Sequence, residues 1–183
     1  MKPIHLIPLA DGGVGPAPGL DILEHLAATL AHTFRTPCRI RPETFDIAFA
    51  QDGRRGQYHS TAILQRMERV CDPDARVLGV TACDLYDPEL TIVFGEAQLD
   101  GNCAVVSLAR LQEQFYGMPS RDDLLRERLV KEAAHELGHT FGLRHCADWR
   151  CVMASSHAVE RLDVKGAEFC GACRKPVFQN GFW

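Results

Sequence analysis

The chain has 183 residues, 46% of them hydrophobic, with a formal net charge of −4. That length and apolar content suffice for one well-filled domain. The acidic balance and the lack of a basic run remove electrostatic support for nucleic-acid binding, and no apolar segment nears the roughly 18 residues that a membrane span needs.

The segment Met1–Leu9 carries one cation and an apolar run too short for a secretory signal, so it is expected to be a buried strand over Ile4–Leu9 in a cytoplasmic protein. A turn-rich link from Asp11 to Gly19 follows, with four glycines and two prolines. Apolar residues at Leu20, Ile22, Leu23, Leu26, Ala27 and Leu30 then recur at helical spacing and predict a helix to Phe34. Cys38–Arg41 and Phe45–Ala50 read as short extended pieces around Pro42, and Asp52–Gly56 as a polar loop. A second helix is expected over Thr61–Val70, with Ala62, Ile63, Met67 and Val70 on one stripe. Ala75–Val80 reads as a strand that ends in a turn region over Asp84–Pro88. Thr91–Leu99 and Cys103–Leu108 form a hairpin about Asp100-Gly101. This order predicts an α+β fold, α/β-like in its first part, with helices packed on a mixed sheet. A long helix should start at Ser120, capped by it, with Asp123 at the third position.

That helix carries His135-Glu136-Leu137-Gly138-His139. Histidines at i and i+4 lie about 40° apart around a helix axis, so both can grip one zinc ion, while Glu136 flanks the metal as a candidate base. His145 could join them only if the helix stops and the chain doubles back. Gly142 stands where that turn would begin, because glycine takes positive φ freely. Three imidazoles with an open fourth position make a catalytic site, whereas structural zinc sites are closed by four protein ligands.

Of eight cysteines, Cys38, Cys71, Cys83 and Cys103 are scattered among apolar segments and read as small buried hydrophobes. Cys146, Cys151 and the Cys170-x-x-Cys173 knuckle are spaced for a closed tetrahedral metal site, the alternatives being a redox pair at Cys170/Cys173 or unpaired thiols. Some forty residues after Gly142 are too few to hold a core unaided, so a metal staple is physically useful there.

The pattern His135-Glu136-x-x-His139-x-x-Gly142-x-x-His145 resembles the metzincin clan of zinc peptidases, and Met153 matches the methionine those proteins carry in a turn beneath the metal. With Cys146 directly after the third histidine, then Cys151 and Cys170/Cys173, the chain looks like the archaemetzincin family. The resemblance implies two zinc ions: one catalytic on His135, His139 and His145, and one structural on Cys146, Cys151, Cys170 and Cys173. It also implies a twisted five-stranded sheet whose edge strand, here Thr91–Leu99, runs along the cleft, and a zinc-stapled lower subdomain. In one metallopeptidase domain, residues 1–142 would be the upper subdomain and 143–183 the lower; no zymogen segment is evident.

These expectations describe a peptidase in which Glu136 takes a proton from a zinc-activated water that attacks a peptide carbonyl. The alternative is a catalytically silent, zinc-stabilised peptide- or protein-binding module. Met153 is not expected to be a ligand. His157, Asp163 and Lys165 read as solvated residues that could at most touch substrate. A peptide or protein substrate is expected, nucleic acid and membrane are not, and a monomer is the default.

Overall fold

The computed structural model describes residues 1–12 and 17–179, so part of the turn-rich link and the last four residues lie outside the described residues. Strands β1 (Ile4–Ala10), β2 (Cys38–Ile40) and β3 (Phe45–Asp46) surround helix α1 (Leu20–Phe34). Next come β4 (Gln51–Asp52), β5 (Gln57–His59), α2 (Ser60–Val70), β6 (Arg76–Thr81) and β7 (Leu85–Tyr86). The hairpin β8 (Gly95–Ala97) and β9 (Cys103–Ser107) leads to α3 (Asp122–Thr140), α4 (Val159–Val164) and α5 (Gly171–Gln179).

The main sheet has the order β2-β1-β6-β9-β8. β3 also pairs with β1, further along the edge that β2 covers, so six strands occupy five positions. All pairs are parallel except the antiparallel β8–β9 edge. β4, β5 and β7 form a small second sheet.

A mostly parallel sheet must be covered on both faces, and the alternation of side chains along each strand divides the core accordingly. Ile4, Leu6, Leu78, Val80, Ala104 and Val106 face α1 and α3. Leu9, Val77, Cys103 and Val105 face α2, through Ile63, Leu64 and Met67. Chain after α3 does not build a core of its own. Leu143, Val152, Met153, Leu162, Phe169 and Val177 join the core of α1 and α3, where Phe34 stacks on Phe141 and meets the edge of Phe169.

Several expectations from the sequence differ, among them the piece over Phe45–Ala50, which is extended only at β3 and then makes a 3₁₀ turn at Ala48–Ala50. The strand expected over residues 91–99 shrinks to β8, because the amides of Leu90 and Thr91 fold back onto the Asp87 carbonyl and Thr91 takes a φ of 67°. Only an isolated bridge from Val93 to Leu85 precedes β8. Helix α3 begins at Asp122 without a capping box: the Ser120 hydroxyl turns to Asp122, and the Asp123 carboxylate is held by Arg121. Of the four scattered cysteines, Cys83 and Cys103 are buried as expected, whereas Cys38 and Cys71 are half-buried.

Candidate metal centres and cleft

The last two turns of α3 carry His135, Glu136 and His139. The helix stops through hydrogen bonds from the amides of Gly142 and Leu143 to the carbonyls of His139 and Gly138, with Gly142 at a φ of 80°. This is the Schellman pattern, in which a left-handed residue just past the helix satisfies carbonyls that would otherwise be orphaned. Other donors reach the same helix end. Arg76 of β6 donates to the Thr140 carbonyl at 2.6 Å and to Gly101 at 2.9 Å, with its guanidinium over the Phe141 ring, while the Asp100 amide bonds the His139 carbonyl at 3.0 Å. The hairpin thus clamps the helix end and fixes where the chain turns.

The reversal brings His145 back to the helix. Ring centroids lie 4.7 Å apart for His135 and His139, 5.3 Å for His135 and His145, and 5.1 Å for His139 and His145. One ring nitrogen from each lies within 4.8 Å of the others. Nδ1 of His135 lies 2.8 Å from the Val152 carbonyl and Nδ1 of His139 lies 2.7 Å from the Leu143 carbonyl. A carbonyl only accepts, so both Nδ1 atoms carry the proton and both Nε2 atoms present lone pairs in the neutral rings. Those two lone pairs face each other across 3.1 Å. A shared cation relieves that opposition, and fixing Nδ1 on a carbonyl is how proteins orient metal-ligating imidazoles. The donor set therefore fits zinc. Burial lowers all three imidazoles from their ordinary value of 6.5, which favours the metal-ready neutral form.

Beneath the triad runs the turn that holds Met153, which is fully buried. Helix and turn pack so closely that a Cβ at position 138 would overlap Met153 Sδ, which explains the glycine between the two helical histidines. The Val152 carbonyl that orients His135 belongs to this turn.

Glu136 is 4% exposed and lies against β8, where a Cβ on Gly95 would come within 2.6 Å of Glu136 Cγ. Burial first, and the Glu132 carboxylate second, push the Glu136 carboxyl well above the usual range. Two cavities flank the triad. One of about 530 Å³ runs along β8 and is lined by Leu90, Val93, Glu96, Leu99 and Arg144. The other, of about 170 Å³, is bounded by Ile92, Phe94, Ser155 and His157.

The four later cysteines converge as well, their Sγ atoms lying within 4.8 Å of one another. Cys146 and Cys170 Sγ stand 3.8 Å apart, too far for a disulfide and close to the roughly 3.8 Å edge of a tetrahedron with zinc–sulfur bonds of about 2.3 Å. The Cys173 amide and other donors lower the Cys170 thiol to about 7, toward the thiolate that a metal takes.

His157 is exposed, as expected, and pairs with Ser155 at 3.2 Å. Asp163 and Lys165 are not free solvated residues. Asp163 receives a bidentate contact from the buried Arg128 at 2.6 and 2.7 Å, and Lys165 is itself buried. Burying such groups is favourable only when partners compensate the lost water, and α3 supplies those partners. Sequence reasoning passed over Glu132, although its place four residues before Glu136 puts both on one helix face.

The family model of peptidase family M54 matches residues 31–179. Over 163 residues the chain is 41% identical to the archaemetzincin of Methanocaldococcus jannaschii, covering 89% of each protein. Its fold resembles the crystal structure of an archaemetzincin from Archaeoglobus fulgidus complexed with malonate, with a TM-score of 0.80, 36% identity and coverage of 95% of this chain and 99% of that one. A zinc-dependent peptidase from Methanocorpusculum labreanum aligns with a TM-score of 0.79 and 31% identity over 95% of this chain and 99% of that one.

Proposed function

Because the chain belongs to peptidase family M54, the archaemetzincins, and is a zinc metallopeptidase acting on peptide or protein, we propose that its catalytic zinc is held by His135, His139 and His145, with Glu136 as general base. We further assign Cys146, Cys151, Cys170 and Cys173 to a second, structural zinc that staples together the segments of a lower subdomain, residues 143–183. The observation that carries the first assignment is the pair of facing Nε2 atoms, each made a lone-pair donor by a carbonyl on its Nδ1. Among the described residues no Cys, Asp, Glu or further His joins the three imidazoles, which matches a catalytic site with three protein ligands.

When bound, zinc supplies Lewis acidity that activates water near neutral pH and polarises a carbonyl oxygen. Glu136 accepts the proton of the attacking water and returns it to the leaving amine. The missing Cβ at Gly95 leaves the room that the Glu136 side chain occupies beside the cleft. The outer edge of β8 is open among the described residues and can pair with an extended substrate backbone, while Leu90, Val93 and Leu99 offer apolar contacts.

Metal analysis of the purified chain should find two zinc ions. The zinc-loaded protein should create new termini in a diverse peptide library, read by mass spectrometry. Glu136→Ala should keep both ions and lose turnover by about 10²- to 10⁴-fold. Undiminished turnover in that variant rejects Glu136 as the base, and no cleavage by the parent protein favours a binding module.

A further inference from the structure

The polar face of α3 is docked onto residues 162–165 by three charged side chains. Arg128 grips the Asp163 carboxylate, and Lys131 Nζ donates to the carbonyls of Leu162 and Asp163 at 3.2 and 3.1 Å. Those contacts are short, and they account for the seam as packing. The third contact differs. Lys165 Nζ donates to the Ala154 carbonyl at 3.2 Å but stands 3.7 Å from Glu132 Oε2, and Glu132 Oε2 has no hydrogen-bond partner although buried. Both side chains are nearly closed off from water, at 2% and 6% exposure.

Glu132 lies one helical turn before Glu136, so two carboxyl groups are stacked on one buried helix face. Two carboxylates in a dry site repel strongly unless they share a proton or face a cation, so the charge on Glu132 bears directly on where Glu136 sits. Lys165 is the cation set against this pair, delivered by the chain that follows the third histidine. The Lys165–Glu132 contact is longer than the Arg128–Asp163 contacts and leaves Glu132 Oε2 without a hydrogen bond. We propose that Lys165 and Glu132 form a positioning pair for Glu136: the ammonium holds Glu132, and together they fix the Glu136 carboxyl against Gly95, where it faces the attacking water. This inference rests on the reading of Glu136 as the base.

The test uses the zinc-loaded full chain and the variants Lys165→Met, Lys165→Arg, Glu132→Gln and the double Glu132→Gln/Lys165→Met, with Glu136→Ala as control. Zinc content, thermal midpoint, kcat and KM are read for each. Lys165→Met should keep both zinc ions and a KM within about twofold of the parent, while kcat falls about 10- to 100-fold, the scale of a misplaced catalytic group. Lys165→Arg should recover most of that kcat. The double variant should lose less than Lys165→Met alone, because the repelling charge is gone. Parent-like kcat in Lys165→Met overturns the pair. So does a loss that follows zinc content or thermal midpoint and is not relieved by arginine or the double variant. Should Lys165→Met not fold, Glu132→Gln decides: a lowered kcat at unchanged KM and zinc content supports the pair, and parent-like kcat overturns it. A fully active Glu136→Ala overturns the base assignment itself, whereas an inactive Glu136→Ala beside a fully active Lys165→Met overturns only the positioning pair.

Discussion

His145 and Cys146 are consecutive residues that serve two different clusters, and the contrast between those clusters is instructive. Two of the three imidazoles ride on α3, whose end is clamped by Arg76, Asp100 and the Gly142 turn, and their ring protons are fixed by backbone carbonyls. Three of the four cysteines lie outside α-helices; Cys146 and Cys170 Sγ stand 3.8 Å apart, and the Cys170 amide donates to Cys151 Sγ. A reactive site needs its donors placed before the ligand arrives, and a rigid helix does that. A structural site can instead draw loose segments together, because metal binding and local folding are then one event.

The contrast can be broken or sharpened by experiment. Cys170→Ala should release one zinc and lower stability by about 4–5 kcal/mol, roughly 10–20 °C in the thermal midpoint, the class of effect expected when a bound metal is lost. Unchanged zinc content and midpoint would show the thiols to be bystanders. His145→Ala should also leave one zinc per chain, the one on the cysteines, with turnover down about 10²- to 10⁴-fold. Its midpoint should fall less than that of Cys170→Ala, since α3 and its end are held by other contacts. The part of that fall due to the lost ion should also appear on zinc removal from the parent. Equal destabilisation by the two substitutions would erase the distinction between an open and a closed site. Gly138→Ala inserts a methyl group against Met153 Sδ and should cost about 1–3 kcal/mol by overpacking, measured by denaturant titration.

The smallest effect concerns pH and is best read in Cys170→Ala, where only the histidine site remains. The three imidazoles are lowered from 6.5 by burial, so protons compete weakly for their nitrogens. The neutral form binds zinc, so the ion should stay bound as pH falls through 6.5 and leave only as pH drops through the lowered values. Release already complete at pH 6.5, seen with a zinc-responsive dye, would contradict this sign.

Much of the site was legible in advance because it obeys local rules. The i, i+4 spacing of His135 and His139, the glycine that releases the chain and the cysteine knuckle each express short-range backbone geometry. The hairpin at Asp100-Gly101 was readable for the same reason, whereas the start of β8 was not, because the turn at residues 87–92 depends on the Asp87 carbonyl capturing two amides.

Sequence by itself determined the α+β order, the reversal after α3 and the identity of the seven histidine and cysteine side chains that converge, since helical periodicity, turn chemistry and donor softness operate over a few residues. Only the tertiary structure decided that Arg76 caps the end of α3, that Val152 and Leu143 set the imidazole protons, and that Lys165 enters a buried carboxylate pair. Those contacts join segments 17 to 64 residues apart or bend the chain onto its own carbonyls. Their formation depends on the shared core that brings β6, α3 and the later chain together, and no local pattern records where that core closes.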